Sequence, residues 1–121
     1  MRIVKSIQTK VCVDGSLMKE FALDEPLTPA FLHFLEHFGT ITRREHLKKP
    51  YFSFEKAGFI SIKGFAGDTS VEVRYAAGTH DLTGDFFHLL LFYERNGDQG
   101  VKKLKEIEGS IAEKIAVRTR K

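Results

Sequence analysis

Between residues 51 and 93 the chain alternates short apolar runs with links too short to hold a crossover helix, and this spacing narrows the possible folds more than any other feature. Four runs read as strands, over 51–55, 59–63, 71–75 and 86–93. Ala57-Gly58 and Gly67-Asp68 separate the first three, and a loop from Gly78 to Gly84 precedes the fourth. Parallel neighbours need a connection of about a dozen residues or more, so links of this length impose antiparallel pairing. Val71, Val73 and Tyr75 alternate with Glu72 and Arg74, which gives that strand one wet face. Residues 86–93 (Phe-Phe-His-Leu-Leu-Leu-Phe-Tyr) are apolar on both faces, which predicts a central or covered strand.

The segments on either side complete the pattern. Ile3, Ile7, Val11 and Val13 occupy odd positions while Arg2, Ser6, Gln8 and Lys10 are polar, the period-2 signature of a half-buried strand. Asp14-Gly15 suits a tight turn, so residues 17–21 are expected to return as a hairpin partner. A helix follows, with Thr28 as N-cap, Pro29 at its first position, Leu27 placed to pack on Leu32, and Gly39 as its stop. At 100° per residue Phe31, Phe34, Leu35 and Phe38 gather on one side, and His33, Glu36 and His37 on the other. Beyond Asn96-Gly97, Asp98 can cap a last helix in which Val101, Leu104, Ile107, Ile111 and Ile115 recur at spacings of three and four. Gly109-Ser110 predicts a kink in it, and Arg118-Thr119-Arg120-Lys121 a frayed basic end.

These elements predict one α+β domain over residues 1–121: a curved antiparallel sheet of about five to six strands with two helices against one face, ordered strand or hairpin, helix, four strands, helix. A chain of 121 residues suits a single core. The order resembles the TATA-binding-protein-like and helix-grip arrangements. That resemblance is one of topology alone and carries no function with it.

Several classes are disfavoured. The N-terminus regains charge after two apolar residues and no apolar run can span a bilayer, so a cytoplasmic protein without membrane contact is expected. Cys12 is the single cysteine, which excludes an intrachain disulfide and any multi-cysteine metal site. Between Val11 and Val13 it reads as a small core thiol. The Walker, dinucleotide-binding, nucleophile-elbow and EF-hand patterns are missing, and Gly64-Phe65-Ala66-Gly67 reads as a bend, so no cofactor is expected.

Three constellations could carry chemistry. His33-Phe34-Leu35-Glu36-His37 has the H-x-x-E-H order of zinc hydrolases, with Glu108 or Glu113 as conceivable third ligands, yet it projects from the helix side turned away from the core. His80, Asp81, Asp85 and His88 gather before the fourth run, where turn chemistry explains both aspartates. His88 interrupts the row Phe86, Leu90, Phe92, so it is expected to be a partnered core residue or a polar group in a ligand cavity. Lastly, Arg43, Arg44, Lys48 and Lys49 stand against Glu45 beside Tyr51 and Phe52, a pairing of cations and aromatics that nucleic-acid binders use. The basic stretch 102–121 adds to this, although its lysines alternate with glutamates as on a solvated helix.

Eleven Phe leave more aromatic surface than two helices obviously cover. The leading expectation is therefore a non-enzymatic binding domain whose sheet face, through Phe86, His88, Leu90 and Phe92, holds a protein partner, a second copy of itself or a small apolar ligand. Nucleic-acid binding through 43–49 and 102–121 is the alternative, and a zinc-dependent hydrolase a remote one.

Overall fold

The computed structural model describes residues 2–44 and 50–119. Its strands are β1 (Ile3–Val11), β2 (Leu17–Leu23), β3 (Thr40–Arg44), β4 (Tyr51–Lys56), β5 (Ile60–Phe65) and β6 (Ser70–Tyr75). Helix α1 (Pro29–Leu35) lies between β2 and β3, and α2 (His80–Thr83), α3 (Phe86–Glu94) and α4 (Gly97–Thr119) follow β6. Local chemistry fixes the joints. At the β1–β2 turn Gly15 has φ +88°, and the Asp14 carboxylate accepts the Ser16 amide and hydroxyl at 2.9 and 2.6 Å. Thr28 Oγ1 accepts the Phe31 amide at 3.2 Å and Pro29 opens α1.

The six strands make one sheet in the order β1-β2-β6-β5-β4-β3, with antiparallel pairs throughout. Helix α1 carries the chain from β2 across to the far edge, and β3 to β6 then return strand by strand until β6 pairs with β2. Alternate residues such as Phe21, Phe54, Ile62 and Val73 point to one face and are buried there, against the apolar sides of α1, α3 and α4. Lys56 at the end of β4 ties α4 to the sheet: its Nζ lies 2.9 Å from Glu108 Oε2 and 3.2 Å from the Phe38 carbonyl. Among the described residues no helix lies over the opposite sheet face, which carries charges and hydroxyls together with Tyr51 and Phe65.

The α+β class, the antiparallel sheet and the helical cover on one face agree with the sequence. The fourth predicted strand does not: residues 86–94 form α3. A continuous apolar run of eight residues matches both periods, and burial decides between them. As a helix the run lays Phe86, Phe87, Leu90 and Leu91 on the sheet; as a strand it would only lengthen an edge. Residues 40–44, with the single apolar residue Ile41, are a strand because β4 supplies the ladder. Helix α1 ends at Leu35, short of Gly39, while α4 runs from Gly97 through Gly109 and Ser110 as one helix. Cys12 is half-buried in the turn beside a fully exposed Val13, so it is not a core thiol. Register shifts in β1 fall at Val4 and Ile7, which breaks the simple alternation and leaves both side chains exposed. Such bulges, with Lys5 and Lys10, protect the free edge from pairing with another chain.

Candidate binding surfaces

Helix α3 divides the four residues that a strand would have aligned. Phe86 and Leu90 are fully buried, with the Phe86 ring 5.5 Å from Phe59 and 6.3 Å from Phe38 between centroids. His88 and Phe92, one turn apart, lie on the outer side together with Arg95. Phe92 is 58% exposed, and the His88 ring packs edge-on against Phe21 at 6.1 Å. His88 is therefore a surface residue, neither a partnered core group nor one inside an enclosed cavity.

That outer side borders the start of β1. The Arg2 amide donates to Asp24 Oδ1 at 2.7 Å and the Arg2 carbonyl accepts the Asp24 amide at 3.0 Å, which pins the strand's first residues beside α3. Arg2, Ile3, His88, Leu91, Phe92 and Arg95 line an open groove of about 490 Å³. Its floor is apolar, and neither guanidinium has an ion pair among the described residues. Arg2 and Arg95 escape a sequence reading because only the tertiary fold brings residues 2 and 95 together.

The basic segment also separates. Arg43 faces inward on β3 and donates to Glu36 Oε1 at 2.7 Å, so its charge is engaged by α1. Arg44 faces outward, opposite Tyr51 on β4, and Tyr51 lies opposite Phe65 on β5. The two rings meet edge-on with centroids 5.4 Å apart. Lys48 and Lys49 lie outside the described residues, as do Arg120 and Lys121. Phe65 was hidden in an expected bend, although extending the alternation of Ser61 and Lys63 by one step would have found it.

His33 and His37 are exposed and their rings lie 5.7 Å apart, but the Glu36 carboxylate is held by Arg43 and Glu108 by Lys56. Among the described residues no group of three or more His, Cys, Asp or Glu is placed to hold a metal ion. The cluster near residue 80 is equally dispersed. Asp81 forms a two-pronged pair with Arg118 of α4 at 2.7 and 2.8 Å, and Arg118 also donates to the Gly78 carbonyl. The end of α4 is thus anchored, not frayed, at Arg118. The Arg118 hydrogen bonds hold the Asp81 carboxyl down to about 2. Burial, and then the Asp85 charge, push the Tyr75 hydroxyl up to about 12.

The Asp81–Arg118 pair has a pH consequence. The folded carboxyl is more acidic than an ordinary aspartate, so its stabilisation is complete above about pH 4 and is lost as pH falls toward about 2. Amide exchange in the last two turns of α4 is expected to speed up across that window. Asp81→Asn should produce the same fast exchange already at pH 7, with the sheet unaffected; unchanged exchange in that variant would show that the pair does not anchor the helix.

Comparison with known proteins finds no matching family model and no significant match to a curated protein or a solved structure. Among the described residues no helix is long and apolar enough to cross a membrane.

Proposed function

We propose that this chain is a non-enzymatic binding domain that holds an acidic protein segment with an apolar anchor in the groove between α3 and the start of β1. The observation that carries this reading is Phe92, a large aromatic side chain 58% exposed on a groove whose remaining walls combine Ile3 and Leu91 with two arginines that have no ion pair among the described residues. Exposed aromatic and arginine side chains around an apolar floor are the residue types that dominate binding energy at protein interfaces. An apolar side chain of the partner fills the space over Ile3 and Leu91, and flanking carboxylates meet Arg2 and Arg95. Charge argues against a second copy of this chain as the occupant. A two-fold interface apposes the same patch on both subunits, which would set these arginines against one another.

The test is a nuclear magnetic resonance titration with a short peptide carrying Leu and Phe flanked by glutamates, beside a control in which lysines replace the glutamates. The acidic peptide should shift the signals of Ile3, His88, Leu91 and Phe92, the lysine control should not, and Phe92→Glu should weaken binding at least about tenfold. Because Phe92 is outside the core, the variant should keep the parent spectrum elsewhere. Equal binding of both peptides, or undiminished binding by Phe92→Glu, would refute the reading.

A further inference from the structure

The sheet face opposite the helices carries a second surface of different chemistry. Register places Arg44, Tyr51 and Phe65 side by side in one row across β3, β4 and β5. Two residues further along the same strands, Thr42, Ser53 and Lys63 form the next row on the same face. Adjacent rows on one face are about 7 Å apart, so the six side chains form one patch at one end of the sheet. Phe65 is 39% exposed and rests edge-on against Tyr51, which holds its ring without covering it. Arg44 and Lys63 have no ion pair among the described residues.

From this juxtaposition we infer that the outer face of β3–β5 binds single-stranded nucleic acid, with a base stacked on Phe65 and the adjoining phosphates met by Arg44 and Lys63. The aromatic pair favours this occupant over an acidic protein. Every base has a flat face to stack, and the sugar–phosphate chain supplies anions at regular intervals beside it. Thr42 and Ser53 offer hydroxyls between the two cations for phosphate or sugar contacts. Beyond Lys63 the row continues to Glu72 on β6 and Glu20 on β2. These carboxylates repel a polyanion and confine its path to the β3–β5 end. The surface is separate from the α3 groove, which lies on the helical side of the sheet.

The test is fluorescence anisotropy with labelled oligothymidylate and oligouridylate of about twelve nucleotides and a duplex of the same length. Single strands should bind at low salt and the duplex more weakly. Two phosphate contacts give a slope of about −1.4 in log K against log salt, so affinity should fall about sevenfold from 50 to 200 mM salt. Phe65→Ala should weaken binding about tenfold while leaving the salt slope unchanged. Lys63→Gln should weaken it and reduce the slope by about 0.7. Phe92→Glu should bind oligonucleotides like the parent, which keeps this surface distinguishable from the groove. No binding at 50 mM salt, a preference for duplex, or binding untouched by both Phe65→Ala and Lys63→Gln would overturn the inference.

Discussion

Replacing Phe86 by Ala is expected to cost about 3–5 kcal/mol of stability, whereas Phe92→Ala should change it by no more than about 0.5 kcal/mol. Phe86 is fully buried at the first turn of α3, where its ring meets Phe59 beside β5 and Phe38 beyond α1. Truncation removes its apolar surface from the core and leaves a cavity that three elements would have to move together to fill. A loss of that size is a large fraction of the roughly 5–15 kcal/mol that holds a domain together. Urea denaturation of both variants provides the comparison. In a strand the two residues would share a face and their costs would be similar, so near-equal losses would count against the helical assignment of this segment.

Gly100→Ala is expected to destabilise by at least about 2–3 kcal/mol, while Gly109→Ala on the same helix should stabilise by roughly 0.5–1 kcal/mol. A Cβ on residue 100 would collide with the carbonyl oxygen of Tyr93, in the last turn of α3. Both sides of that contact are main chain, and the short joint between the helices leaves little room for either to retreat. The Gly97 backbone there has φ +57° and the Asn96 amide is bonded to the Tyr93 carbonyl at 3.0 Å. Gly109 has open space around it, so an alanine there removes only the glycine's cost within a helix. Thermal or urea unfolding of the two variants should move in opposite directions. A neutral Gly100→Ala would mean that α3 and α4 do not approach as closely as described.

What was legible in the sequence was what neighbouring residues decide among themselves. Asp14-Gly15, Thr28-Pro29 and Asn96-Gly97 announce a turn, a helix start and a joint through hydrogen bonds and backbone conformations that need no distant partner. Exposure of His33, Glu36 and His37 followed from their angular position alone. What was hidden depends on partners far along the chain. Thr40–Arg44 opens with three β-branched residues but has one apolar side chain, so no apolar alternation marks it until β4 lies beside it, and Phe86–Glu94 has apolar residues on every side, so its period cannot be read. His88 stands out in the sequence because it interrupts the row Phe86, Leu90 and Phe92, but the helix sets it and Phe92 beside Arg95 and Arg2 instead of beside Phe86 and Leu90. The pairing of Arg43 with Glu36 was hidden for the same reason, since an inward and an outward arginine look alike until the register of β3 is set.

The pairing of β6 with β2 has a consequence for the order of assembly. Leu17 lies opposite Tyr75 and Ala22 opposite Ser70, so the middle of the sheet is closed by segments separated by about fifty residues of chain. The β1–β2 hairpin can form as soon as it is synthesised, but Phe21 has nothing to pack on until β6 is in place and Phe87 stacks over it at 5.5 Å. Contacts between such distant segments must bear the entropy of closing the intervening loop before they return any stability, which slows folding relative to a helical bundle of the same length. The hairpin is therefore made before β6 but buried only after it, and during that interval its apolar side stays exposed.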